Sequence, residues 1–205
     1  MTVEDNKDKL TWNPVAQVSK YSQDQVDYAS RLLGHNPIGA ELESLFADPE
    51  NGIVEVKGNL LTTTGLGNIT NLLIAGGGQG LTSTRTIIGV GSTNTAAAVG
   101  NTALGADGTT GNGTVGAWYR LADSAPTRQT VTVTNDTIQV IGTFNTSNSD
   151  FAWQEWCLAT CTGTVTAGTT LASTATGTSL VNRKVASMGT KAGGTWVLTV
   201  NVTLA

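Results

Sequence analysis

Apolar and polar residues alternate without a break over residues 195–204. Trp196, Leu198, Val200, Val202 and Leu204 fall on one side, and Val197, Thr199, Asn201 and Thr203 on the other. A period of two is the signature of a strand with one buried face. Thr130–Thr134 alternates Thr with Val131 and Val133, and Thr137–Phe144 follows after Asn135-Asp136, a tight-turn pair, so these two segments read as a hairpin. Further strands are expected at 53–57, 84–90, 116–122, 151–159 and 180–187. Seven or eight short strands separated by Gly, Asn, Ser and Thr turns predict a mainly β chain folded as an antiparallel β-sandwich or jelly roll.

The first fifty residues follow another period. Ser22 and Gln25 read as an N-cap and its capping-box partner. Val26, Ala29 and Leu33, with Tyr28 and Leu32 beside them, place an apolar stripe on a helix near 22–33. Gly34 stands where a C-terminal cap belongs and Pro37 follows, so the chain should turn before a second short helix around Ala40 to Phe46. The turn formers Asp48-Pro49-Glu50-Asn51-Gly52 should end it. A third short helix is expected at Gly65–Ala75, where Leu66, Ile69, Leu72 and Leu73 precede three glycines. It reads as a buried helix capping an open end of the sandwich. The segments 91–115 and 162–179 are poor in charge and in Pro, unlike most disordered tracts, and longer than ordinary connections. They read as long loops or irregular strands packed against a neighbour.

Charge divides the same chain in two. Residues 1–57 hold ten acids and five bases, whereas residues 58–205 hold five acids and six bases. The expected organisation is therefore an acidic N-terminal arm, 1–57, and a Thr/Gly-rich body, 58–205. Only 13% of the 205 residues are charged, against about 25% in an average globular domain. With a net charge of −4 and no cluster of Lys and Arg, the chain lacks the concentrated positive charge that phosphate binding requires, so nucleic acid is not an expected partner. No apolar run reaches the ~18 residues that span a bilayer, and MTVEDNKDKL lacks the basic start and apolar stretch of a secretion signal. The protein is expected to stay soluble on the side where it is made, with no membrane partner.

Candidate chemistry is sparse. His35, the one histidine, sits in the turn between Gly34 and Asn36 and reads as a solvent-exposed turn residue. Cys157 and Cys161 would need two further ligands to hold zinc, and the chain has no other Cys and no His pair. They read as buried reduced thiols, with a disulfide across a bulge as the alternative. Among the carboxylates of the body, Asp136 and Asp150 lie in turn sequences and Asp123 in a loop beside Ser124 and Pro126. Glu155 differs, because strict alternation places it on the apolar face of Phe151 and Trp153, where an acid needs a partner; Arg120 and Arg183 are the candidates. The glycine-rich pieces GLGN and GGGQG lack the Gly-Lys-Ser/Thr ending of a phosphate loop. No catalytic residue, metal or cofactor is expected. Trp118, Trp153, Trp156 and Trp196 form a possible sugar-stacking set, although aromatic residues in strands more often serve a core.

Four phrases run in order along the body: VEVKGNLLTTTGLGNITNLLIAGGG, TRTIIGVGSTNTAAAVGNTAL, DFAWQEWCLAT and LVNRKVASMGTKAGGTWVLTVNVTL. Together they resemble small structural proteins of tailed bacteriophages, in which an N-L-L-x-x-x-G opening leads to I-x-V-G-x-x-x-T-x-A and an N-R-K-V-x-x-x-G-T-K phrase precedes the last strand. The resemblance implies a non-enzymatic virion surface component: a capsid decoration or cement protein, or a tail fibre or baseplate subunit. A carbohydrate-binding module using Trp118, Trp153 or Trp156 is the alternative from another class. The expected partners are the major capsid protein and copies of the chain itself, as a homo-oligomer for which a trimer is one form, with host glycan as a lesser alternative; the expected place is the virion, after synthesis in the host cytoplasm. The resemblance does not reach residues 1–52. Their composition assigns anchoring to them, through Trp12, Tyr21, Tyr28, Leu32, Leu33, Leu42, Leu45 and Phe46, which can bury apolar surface on a neighbouring subunit while the charges face water.

Overall fold

The computed structural model describes residues 12–58, 60–74, 76–107, 116–123, 127–132 and 135–204, with side chains described throughout except at 127–132, 135–136 and 204. In chain order the elements are β1 (Trp12–Tyr21), α1 (Gln23–Leu33), α2 (Gly39–Leu45), β2 (Ile53–Lys57), β3 (Leu60–Leu61), α3 (Thr63–Leu73), β4 (Thr86–Gly91), β5 (Ala117–Leu121), β6 (Thr127–Thr132) and β7 (Asn135–Phe144). After a 3-10 turn at Ser147–Ser149 come β8 (Ala152–Thr160), α4 (Leu171–Thr174), β9 (Ser179–Thr190) and β10 (Thr195–Leu204). The strands form two five-stranded sheets, ordered β2-β1-β10-β7-β6 and β3-β9-β8-β4-β5. Every pairing between them is antiparallel. The chain is mainly β and forms a sandwich. One apolar cluster joins Ala16, Val18, Val140 and Val200 of the first sheet to Ile88, Val90, Trp156 and Leu158 of the second.

The alternation of residues 195–204 is realised as β10, the centre of the first sheet. Leu198, Val200 and Val202 point into the space between the sheets. Val197, on the opposite face, is also fully buried, because α1 and α2 lie over it with Tyr21, Ala29 and Leu42. In the second sheet Gly89 is held against Tyr119, and in the first Gly142 meets Ile88 across the interior. A Cβ at Gly142 would lie 2.4 Å from Ile88 Cγ2, so the sheets touch there only because the residue has no side chain.

The structure departs from the sequence reading at three strands. Residues 12–21 read as part of an anchoring arm but form β1, paired with β10 from Trp12–Leu204 to Tyr21–Thr195. The change in charge near residue 57 instead marks the passage from β2 in the first sheet to β3 in the second. Asn135 and Asp136, expected in a turn, belong to β7 and pair with Thr132 and Thr130; residues 133 and 134 of the expected hairpin lie outside the described residues. On β8 the register shifts between Trp153 and Glu155. β9 carries two extra residues at this irregularity, and alternation on β8 breaks opposite it, so Trp153 and Trp156 both enter the core between the sheets while Glu155 turns to the outer face, away from the side it was expected to share with Trp153.

The first arm helix is capped at both ends as its sequence dictates. The Ser22 hydroxyl accepts from the Gln25 amide and the Gln25 side chain accepts from the Ser22 amide, closing the capping box of α1. Gly34 stops that helix in the left-handed region at φ 77°. The start of α2 is pinned to the sheet by Gly39, whose amide donates to Thr143 Oγ1 at 2.6 Å. Its missing Cβ would come within 2.6 Å of Val197.

Candidate interaction surface

Of the arm residues expected to reach a neighbouring subunit, most are spent on the chain's own body. Tyr21 and Leu42 are fully buried with Val197, and Leu45 and Phe46 pack beside them. Trp12 packs on the central core and Leu33 is half-buried. Tyr28 and Leu32 alone remain outside, 53% and 58% exposed on the solvent side of α1. On the outer face of the first sheet the apolar patch formed by Tyr21, Val197 and Ile141 is covered by the helices nearest to it in sequence.

α3 is the reverse of the buried helix that its apolar spacing predicts. Among its residues only Gly65 is buried, whereas Leu66 and Leu72 are about half exposed and Leu73 is 80% exposed; Ile74, just past its end, is 70% exposed. Its inward side is small and polar. The Thr62 hydroxyl donates to the Leu180 carbonyl and accepts from the Gly65 amide, and Thr64 Oγ1 donates to the same carbonyl at 2.8 Å. Asn68 donates to Thr160 Oγ1 at 3.1 Å. The carbonyls of Leu180 and Val181 are available because β9 bulges opposite Leu158–Ala159. Val99, also exposed, sits beside the helix start, where its carbonyl accepts from the Thr63 amide.

The docking of α3 depends on Gly65, since a Cβ there would stand 2.1 Å from the Val181 carbonyl oxygen. Gly65→Ala is therefore expected to lower stability by about 1–3 kcal/mol, although alanine is the better helix former. Urea unfolding checks the sign: a stabilised variant would mean that α3 is not seated on β9.

The second sheet carries a different outer cover, fastened by buried charges. Glu155 accepts from Arg183 Nε at 2.6 Å and from the amides of Gly105 and Ala106, each at 2.9 Å. Arg183 donates onward to the carbonyls of Thr95 and Ala96 and to Asn101 Oδ1. Arg183 is thus the partner that Glu155 required, and Arg120 instead pairs with Asp123 at 2.8 Å. Beside this pair the Tyr119 hydroxyl donates to Asp107 and accepts from the Leu104 amide, while Asp107 also accepts from the Leu171 amide. The segment 95–107 and the start of α4 are thereby tied to the sheet. The parts of 91–115 and 162–179 within the described residues pack largely on their own body, and 108–115 lies outside those residues.

None of these groups is arranged as a nucleophile with its base. Both oxygens of Glu155 are engaged in holding backbone. Burial pushes the Tyr119 phenol far up, with the nearby Cys157 and Asp107 adding to the effect. Burial also pushes the Cys157 and Cys161 thiols up, away from the thiolate that reacts or binds metal. The two cysteines are free. Four positions apart along extended chain they are separated by about 13 Å, well beyond a disulfide's reach. His35 lies outside and reaches Glu41 at 3.0 Å. The Ile38 amide, burial and His35 act on Glu41 in that order, and the net effect lowers its pKa.

No protein-family model, curated protein or solved structure matches the chain.

The tryptophans do not form a stacking platform. Trp153 and Trp156 are both fully buried and Trp196 nearly so. Trp118 borders an open cleft of about 260 Å³, shared with Arg120, Phe144, Asn145 and Thr146. Among the described residues no three His, Cys, Asp or Glu side chains gather as a metal site, and no helix is long and apolar enough to cross a membrane. Large apolar side chains are instead left outside on two helices that cover different sheets. Sequence reasoning named Tyr28 and Leu32 together with six residues that the structure spends on the body. It assigned Leu66, Leu72 and Leu73 to the interior, and the isolated Val99 gave no pattern to find.

Proposed function

We propose that the chain is a non-enzymatic structural protein of a bacteriophage virion, a decoration or cement protein that binds the outer capsid surface and stabilises the coat lattice. The observation that carries this reading is the pair of apolar helix faces, Tyr28 and Leu32 on α1 and Leu66 to Ile74 on α3, left exposed over separate sheets of the body. The ordered phrases that resemble phage structural proteins support it, as does the use of Glu155, Arg183 and Asp107 to fasten loops. A body with two adhesive faces can join subunits. Contacts made only with the assembled lattice favour that lattice over its dissociated subunits, as any ligand stabilises the state it binds.

In this reading α1 faces the coat. Purified protein mixed with bare capsids should co-sediment with them and raise their resistance to heat. Leu32→Glu, which adds a charge at an exposed position, should weaken that binding at least about tenfold, about 1.4 kcal/mol, without altering the fold. Absence of binding by the unaltered chain overturns the reading. Tail fractions that retain the protein while heads lack it would transfer it to a fibre or baseplate.

A further inference from the structure

We infer that the outward face of α3 pairs with the same face of a second copy of this chain, about a two-fold axis. The inference deepens the proposed function, since it rests on reading the chain as an adhesive subunit that works in multiple copies.

The argument begins with charge. No charged residue occurs between Lys57 and Arg85, so α3 and the chain on either side of it carry no charge of their own. A contact between identical surfaces sets each group against its own kind, and like charges placed opposite one another oppose binding. A neutral apolar face is complementary to itself without further design. A partner selected by opposite charge has nothing on this face to recognise.

The chain's own remaining segments are poor occupants. The eleven residues before β1 include Glu4, Asp5, Lys7, Asp8 and Lys9, and residues 108–115 (GTTGNGTV) supply one large apolar side chain. Neither provides an apolar stripe to match Leu66, Leu72, Leu73 and Ile74. The spacing on α3 does match its own copy. Leu66 and Leu73 lie two turns apart on one face with Thr70 between them, so in an antiparallel pair Leu66 of one copy stands opposite Leu73 of the other and the small Thr70 lets the helices approach. α3 also has a firm base: it is docked through Thr62, Thr64, Gly65 and Asn68, leaving the apolar side chains free for the contact.

The test is the mass of the full chain, without capsids, by sedimentation equilibrium up to about 100 µM, a range that resolves micromolar pairing. The unaltered chain should pair, and Leu73→Glu should raise the dissociation constant more than tenfold with an unchanged far-ultraviolet circular dichroism spectrum. Leu32→Glu, on α1, should pair like the unaltered chain. Leu66→Glu and Leu73→Lys should each pair poorly alone and associate when mixed, because the two-fold arrangement sets those positions against each other. A monomeric unaltered chain, a Leu73→Glu variant that still pairs, or a mixture no better than its components overturns the inference. If Leu73→Glu instead abolishes capsid binding by a chain that is monomeric in solution, α3 faces the coat and the inference fails. A chain that pairs through α3 yet ignores capsids leaves the inference standing and removes the virion reading.

Discussion

Glu155→Ala is expected to cost about 3–5 kcal/mol of folding stability, because it leaves the Arg183 guanidinium buried without its counter-charge. The side chains of this pair are 2% and 0% exposed, so solvent cannot replace the lost partner without an opening of the cover. The damage should spread along the bonds that Glu155 makes. The Gly105 and Ala106 amides lose their acceptor, and Arg183, still tied to Thr95, Ala96 and Asn101, is left with a charge that none of them neutralises. Chemical unfolding gives the size of the loss, and hydrogen exchange at Gly105 and Ala106 gives its location. Adding Arg183→Met should recover part of the stability, since removing the orphaned charge relieves the larger penalty. A single variant within about 0.5 kcal/mol of the unaltered chain would mean that the pair is not buried as described.

Trp153→Ala should be as severe, about 3–5 kcal/mol, through the cavity it opens. Trp153 is fully buried and sits between two rings, Phe144 and Trp196, each with centroids 4.9 Å away in edge-to-face geometry. It ties the two sheets together, since Trp196 and Phe144 belong to β10 and β7 of one and Trp153 to β8 of the other. Trp153→Phe separates packing from hydrogen bonding. It keeps an aromatic filler but removes the donor to the Ser149 carbonyl, a 3.0 Å bond, and should cost about 1–3 kcal/mol. Thermal unfolding with near-ultraviolet circular dichroism checks both variants; equal losses would place the Ser149 bond above the ring contacts in importance.

The same region shows what the sequence could and could not convey. Residues 53–57 and 195–204 were legible as strands because alternation over five to ten positions has no competing explanation. The first strand was hidden by its composition. WNPVAQVSKY includes a proline and several polar residues, with Ala16 and Val18 as its main inward-facing apolar signal. Pro14 is tolerated because its backbone faces the β2 side just past the last paired residue, where its carbonyl accepts from the Gly58 amide. The irregular pairing of β8 with β9 was equally silent, since nothing in Trp153-Gln154-Glu155-Trp156 marks the missed step except the improbability of an acid sharing a face with tryptophan.

The candidate surface was legible only in part. Periodicity tells which residues share a side of a helix; on α1 it set Tyr28 and Leu32 beside the stripe of Val26, Ala29 and Leu33, of which Val26 and Ala29 pack on the sheet while Tyr28 and Leu32 stay outside. It does not tell what lies opposite. On α3 the deciding residues are Gly65, which permits contact with β9, and Thr62 and Thr64, which find carbonyls on a bulged strand more than a hundred positions away. Arg183 as the partner of Glu155 was within reach, because an acid in an apolar strand requires a cation and few are present. The choice of Arg183 over Arg120 depended on strand order.

The pairing of β1 with β10 sets the timing of maturation. A growing chain makes Ala16, Val18 and Tyr21 long before β10, their central neighbour in the sheet. Until β10 arrives, α1 and α2 have no Val197 to cover, and half the sandwich waits with its greasy surfaces uncovered. Closing so long a loop is entropically slow. Until that loop closes, crowding of incomplete copies is the stage at which this protein is most prone to clump.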